Sequence, residues 1–206
     1  MKTAQWDYGM DSLSVRIVSV GMLEVNCYIL SNPDTEEALV VDPGDDAERI
    51  VDLLRNQGLT GRAVLLTHAH VDHIRGVTQL CRQLSVPVYL HPDDFRLYHS
   101  PLNALEPWVP AARDLPQPEV LASPVAGFRF EILHTPGHTP GSCSLHFREA
   151  GMVFTGDTLF SGSVGRTDLP GGDQETLMRS ISEKLAVLPG ETVVYPGHGP
   201  RTTIRD

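Results

Sequence analysis

The sequence predicts a mixed α/β protein in which two β-sheets pack together with helices on their outer sides. Three observations carry that reading. Short apolar, β-branched runs bounded by turn residues occur in pairs near the start of the chain and again near its end. Longer segments with apolar residues three and four apart lie between them. The 206-residue chain is 41% hydrophobic, which suits one domain that buries roughly 70% of its unfolded surface. A doubly wound single sheet would satisfy the same pattern, so periodicity leaves both architectures open.

The elements follow in order. Val15–Val20, Asn26–Leu30 and Ala38–Val41 read as strands, broken at Gly21 and at Asn32-Pro33. Asp42-Pro43-Gly44 is a turn. Asp45–Gly58 reads as a helix: Ile50, Leu53 and Leu54 share a face, acidic residues open it, and Gly58 lies past its end. Ala63–Leu66 is a continuous apolar run, as a buried strand requires, and it leads into Thr67–His73. Ile74–Ser85 follows as a helix with Val77, Leu80 and Leu84 in register. Val86–Leu90 is a strand, and His91-Pro92 opens a short helical piece.

Six prolines fall within Ser100–Pro124, which reads as an irregular surface excursion that shapes a pocket mouth. Phe128–Leu133, Ser144–Phe147 and Met152–Thr155 are strands, and Thr158–Gly172 is a Gly-rich loop. Asp173–Leu188 is a helix with Leu177, Ile181, Leu185 and Leu188 on one face. Thr192–Tyr195 is a strand and Pro196–Pro200 a turn.

Composition excludes several functions. Twenty-six acidic against 16 basic residues give a net charge of −10, opposite to what nucleic acid or an anionic membrane surface attracts. No stretch approaches the roughly 20 apolar residues of a membrane span. Met1–Asp11 is polar and lacks the apolar core of a signal peptide. Cys27, Cys81 and Cys143 are odd in number, widely spaced and free of any C-x-x-C pair, a pattern of buried thiols in a reducing compartment. The expectation is a cytoplasmic protein. No G-x-G-x-x-G, G-K-S/T or G-x-S-x-G motif is present, which removes dinucleotide, nucleoside triphosphate and serine-hydrolase readings.

The chemistry concentrates in Thr67-His68-Ala69-His70-Val71-Asp72-His73, where four metal-ligating side chains fall within six residues. Residues two apart in an extended segment point the same way, so His68 and His70 can grip one ion. The turn into the following helix can swing Asp72 and His73 toward a second. Four such groups would be costly to bury without a partner. Three later polar residues sit beside glycine at strand ends: His138 in T-P-G-H-T-P-G, Asp157 in F-T-G-D-T, and His198 in Y-P-G-H-G. The seven groups suffice for two ions sharing a carboxylate, a known hydrolytic arrangement. His91, His99, His134 and His146 stand apart from these motifs and read as ordinary surface or core residues.

T-H-A-H-V-D-H, T-P-G-H-T-P-G-S, F-T-G-D-T-L-F and P-G-H-G, in that order and spacing, resemble the metallo-β-lactamase fold superfamily from about Val15 to Thr203. Asp42-Pro43-Gly44 resembles its early strand-to-turn motif. The resemblance implies a four-layer αββα sandwich of two mixed sheets, spanning 1–206 as a single domain, with the metals at one edge. It implies His68, His70 and His138 as ligands of one metal, Asp72, His73 and His198 as ligands of the other, and Asp157 as the bridge. The cofactors it implies are two divalent ions, zinc foremost, with iron or manganese as alternatives.

Ligand identity narrows the branch. Flavodiiron reductases resemble H-x-E-x-D where position 70 here is His. Zinc β-lactamases lack the bridging aspartate, and the RNA-processing members carry an inserted domain and a basic surface. F-T-G-D-T-L-F-S-G-S-V-G-R-T-D-L-P-G-G is similar to the short bacterial glyoxalase II-like group. That implies hydrolysis of a small-molecule thioester such as S-lactoylglutathione by a metal-bridging hydroxide, with Asp72 orienting it. The G-R-T-D portion also occurs in persulfide dioxygenases, so a mononuclear iron dioxygenase is the alternative, and a lactonase a further one. The chain ends eight residues after His198, without the usual helical glutathione-binding C-terminal domain. Arg166 is the candidate for the substrate's anionic end, against the simpler role of an ion pair with Asp168.

Overall fold

The computed structural model of the protein describes residues 6–8 and 13–206. The polar Met1–Asp11 segment falls largely outside the described residues. Two mixed sheets dominate. The first contains β1 (Trp6–Tyr8), β2 (Ser14–Val20), β3 (Val25–Asn32), β4 (Glu37–Val41), β5 (Thr60–Leu65), β6 (Val88–Leu90) and β7 (Glu119–Val120), in that spatial order. It is antiparallel from β1 to β4 and parallel from β4 to β7. The second contains β8 (Glu131–His134), β9 (Cys143–Phe147), β10 (Met152–Gly156), β13 (Val193–Pro196) and β14 (Thr202–Thr203), ordered 14-13-10-9-8. Its β10–β13 pair is parallel. A small hairpin, β11 (Leu159–Phe160) and β12 (Ser163–Val164), stands in the loop after β10.

Side-chain alternation builds the layers. In β3, Cys27 and Ile29 face one way, and Tyr28 and Leu30 the other; Ala38 and Val40 oppose Leu39 and Val41 in β4. One set meets helices α1 (Ala47–Asn56) and α3 (Val77–Leu84) through Ile50, Leu54, Val77 and Leu80. The other meets Leu145, Phe147, Phe154 and Tyr195 of the second sheet. That sheet's far face, Val153 and Val194, packs on Leu185 with Ile181 and Leu188. Period-two alternation thus sends alternate residues of one strand into two cores, and the architecture is the four-layer αββα sandwich. Cys27, Cys81 and Cys143 are buried and free.

Several boundaries differ from the sequence reading. The helix expected over Ile74–Ser85 is two pieces, α2 (Val71–Ile74) and α3. The break falls at Gly76, whose N–H donates to the Pro43 carbonyl (2.9 Å) in a space with no room for a Cβ. Helical backbone therefore begins inside the ligand motif. The segment after His91-Pro92 is a 3₁₀ turn, Pro92–Asp94, followed by α4 (Phe95–Tyr98). The proline-rich excursion contains edge strand β7. The strand expected over Phe128–Leu133 is β8, shifted toward His134; Phe128 and Phe130 are buried ahead of it. The helix expected over Asp173–Leu188 is α5 (Gln174–Ser180) followed by a π turn over Ile181–Leu185. Leu177, Ile181 and Leu185 recur every four residues, which drifts roughly 40° per step on an ideal α-helix; the wider π turn keeps them on the sheet.

Candidate metal centre

Five strands deliver the site. Asp42 follows β4, His68 and His70 follow β5, His138 follows β8, Asp157 follows β10 and His198 follows β13. Open α/β sheets place ligand sites at the carboxyl ends of their strands in this way. Here β4–β5 and β10–β13 are the parallel pairs, so their ends converge.

All seven predicted groups come together. One donor atom each from His68, His70 and His138 lies within 4.8 Å of the others, and the same holds for Asp72, His73 and His198. Asp157 lies between the two trios. Its Oδ1 is 3.4 Å from His73 Nε2, while its Oδ2 is 3.6 Å from His138 Nε2 and 3.7 Å from His198 Nε2. His198 Nε2 is 3.3 Å from Asp72 Oδ2. The trios touch through His68 and His73, with ring centroids 4.2 Å apart.

Outer hydrogen bonds aim these rings. His73 Nδ1 donates to Asp42 Oδ2 (3.0 Å). Thr67 Oγ1 donates to that same oxygen (2.6 Å) and accepts from His68 Nδ1 (3.1 Å). His138 Nδ1 donates to the Arg166 carbonyl (2.7 Å), and His198 Nδ1 to the Leu23 carbonyl (3.0 Å). With Nδ1 protonated in each, the Nε2 lone pairs point inward, as metal-ligating histidines require. His68 Nε2, His73 Nε2 and Asp157 Oδ1 are buried and have no hydrogen-bond partner. Orphaned buried polar atoms are rare in native proteins, and three in one imidazole–carboxylate cluster fit divalent metal ions. Glycine makes the closeness feasible: a Cβ on Gly197 would collide with Asp157 Oδ1 and the His73 ring.

Electrostatics divide the cluster. Burial, then the neighbouring imidazoles, holds His68 far below the usual histidine value. Burial and His138 bring His70 down to about 3. Burial pulls His73 down too, but Asp157 and Asp72 outweigh it and raise it well above 6.5. His198 is likewise raised, by its hydrogen bond to Asp72 and by Asp157 against burial. Burial pushes Asp72 and Asp157 up, yet His73 and His198 hold both below the ordinary carboxylate range. The carboxylates therefore favour positive charge on the His73–His198 side.

Three positioning residues were not legible as such in the sequence. Asp42 was seen only as part of a turn motif. Asp94, fully buried, accepts from Ala69 N (2.9 Å), Thr139 Oγ1 (2.8 Å) and Gly141 N (2.7 Å), so it clamps the His68–His70 loop to the His138 turn. Asn103, in the proline-rich excursion, donates to the Ala69 carbonyl (2.7 Å). In sequence Asp94 lies in the short helical piece that His91-Pro92 opens, and no local signal marks it as buried. Arg166 is exposed and held by Asp168 through Nε (2.7 Å) and Nη2 (2.6 Å).

A cavity of about 430 Å³ opens beside Asp72, lined by Met22, Leu23, Arg75, Trp108 and Val109 among others. Clefts of about 800 and 880 Å³ lie elsewhere, away from the cluster; the donor chemistry identifies the site where cavity size does not.

A two-sheet sandwich carrying such a cluster on its strand ends defines the metallo-hydrolase class. A sequence model of the metallo-beta-lactamase superfamily matches residues 20–198, and the chain belongs to that superfamily. It is 40% identical over 202 residues to a probable metallo-hydrolase of Bacillus subtilis, covering 92% of each. It is 36% identical over 201 residues to a hydroxyacylglutathione hydrolase of Haemophilus influenzae, covering 93% of each. Among solved structures, the B3 metallo-beta-lactamase BLEG-1 superposes with a TM-score of 0.88 at 40% identity, covering 93% of this chain and 94% of that one. TTHA1623 in a di-iron-bound form superposes with a TM-score of 0.79 at 42% identity, covering 92% and 94%. No helix among the described residues is long and apolar enough to cross a membrane.

Proposed function

We propose that this chain is a binuclear metallohydrolase that cleaves small-molecule thioesters such as S-lactoylglutathione. The observation that carries the binuclear part is Asp157, whose Oδ2 faces His138 of one ligand trio and His198 of the other while its Oδ1 faces His73. The thioester part is supported by the hydroxyacylglutathione hydrolase of Haemophilus influenzae, matched over nearly its whole length.

His68, His70 and His138 would hold one ion, and Asp72, His73 and His198 the other, with Asp157 between them. Bound there, zinc, iron or manganese supplies Lewis-acid polarisation of a carbonyl and a water that ionises near neutral pH. Asp72, held below the ordinary carboxylate range by His73 and His198 against burial, borders the cavity as a hydrogen-bond acceptor that can orient a water. A thiolate leaving group needs no strong acid, because thiol pKa values lie near 8.5. The substrate enters past Met22, Leu23 and Trp108, which give the mouth an apolar rim. Arg166 is the candidate contact for an anionic substrate end, which would have to displace Asp168.

The test combines metal analysis of protein purified without added metal with an assay of S-lactoylglutathione hydrolysis. About two ions per chain with cleavage is the expected result. About one iron per chain, no cleavage, and oxygen uptake with glutathione persulfide would replace this reading with the dioxygenase.

A further inference from the structure

We propose a second divalent-metal site, formed by His91, Asp93 and His134 on the outside of the sandwich, separate from the seven-ligand centre. His91 directly follows β6 of the first sheet, and His134 ends β8 of the second. The fold stacks their rings face to face, with centroids 4.2 Å apart and planes inclined by 14°. Asp93 faces both: its Oδ2 is 3.7 Å from His91 Nδ1 and 3.9 Å from His134 Nε2. One donor atom from each of the three lies within 4.8 Å of the others.

Bonds of 2.0–2.1 Å in a tetrahedral site hold donor atoms about 3.3 Å apart. Imidazole lone pairs lie in the ring planes, so the two rings must turn out of their stack before both face one ion, a change of rotamer open to partly exposed side chains. All three side chains are partly exposed, at 24%, 56% and 41%, so water can complete the coordination. Two imidazoles and one carboxylate suit a borderline ion such as Zn(II), Ni(II) or Co(II) and not Mg(II) or Ca(II).

Binding competes with two existing bonds. His91 Nδ1 accepts from the Asp93 N–H at 3.3 Å, and His134 Nε2 donates to the Pro140 carbonyl at 2.8 Å. An ion must displace them, so the site binds more weakly than the buried centre. Its occupation ties the two sheets together at their rim, which stabilises the fold by mass action.

Equilibrium dialysis of the full-length protein over a series of free Zn(II) concentrations tests this. Wild-type protein should take up one ion per chain more than Asp93→Asn or His91→Ala at the same free Zn(II). In the variants that extra uptake should move to at least about tenfold higher Zn(II). Asp93 is exposed, so Asp93→Asn carries the test even where His91→Ala fails to fold. As a second readout, Zn(II) added beyond saturation of the buried centre should raise the melting temperature of wild-type protein and not of Asp93→Asn. Superimposable uptake curves for wild type and Asp93→Asn, or a wild-type curve that ends with the buried centre filled, overturns the proposal.

Discussion

Asp157 has one oxygen orphaned and the other facing two histidines from different loops. Removing it leaves His73 and His198 with Asp72 alone and takes away the carboxylate that links them to His138. Asp157→Ala should lower metal content and cut turnover by about 100-fold or more; metal analysis beside steady-state kinetics checks both. Proton competition is the second consequence at this scale. His73 and His198 have raised pKa values, so below those values an incoming ion must displace their protons. His68 and His70 are lowered and offer no such competition near neutrality. Metal affinity on the Asp72–His73–His198 side should therefore rise with pH from 6.5 upward until those two groups deprotonate. The expected slope is up to about two log units per pH unit. Chelator-competition titrations between pH 6 and 8 measure it, and a flat profile contradicts the assignment.

Elements become partners in the site through a few backbone and carboxylate contacts. Asp94 joins loops that follow β5 and β8, which belong to different sheets. Asp94→Ala would leave buried N–H donors of Ala69 and Gly141 unpaired and should cost about 3–5 kcal/mol. Urea unfolding reads that loss, and Asp94→Asn, which keeps an acceptor, should lose less. Periodicity in α1 was sufficient to locate the helix, because Ile50, Leu53 and Leu54 had to face one sheet. It overran in α2–α3, where Val77, Leu80 and Leu84 gave a correct face. The interruption depends on a hydrogen bond to Pro43, more than 30 residues earlier in sequence. The π turn of Ile181–Leu185 was missed for a similar reason, since only the sheet beneath demands the extra width.

Across the whole molecule, stability rests on two large cores that do not include the metal cluster. Leu39 lies fully buried between the two sheets, and Leu39→Ala should cost about 2–5 kcal/mol, measurable by thermal or denaturant melts. Chelation should lower the melting temperature, since ions that bind only the folded state stabilise it by mass action. It should leave the far-UV circular dichroism at 25 °C unchanged, because the sheets are held by apolar packing. Loss of the β signal on chelation would show that the cluster holds the sandwich together.

The sequence by itself singled out the candidate ligands: His68, His70, Asp72 and His73 through the density of imidazole and carboxylate groups in one short run, and His138, Asp157 and His198, each beside glycine at a strand end, through the family resemblance. It determined most strands too, since alternation and turn residues are local signals. It left two architectures open to periodicity, and the family resemblance favoured the sandwich. Only the tertiary structure decided which core each face of β3 and β4 enters, which side chains aim the ligands, and that His91 and His134 meet. Those outcomes depend on contacts between residues far apart in the chain, and an isolated carboxylate such as Asp94 has no neighbours in sequence that reveal whether it will be solvated or buried against three donors.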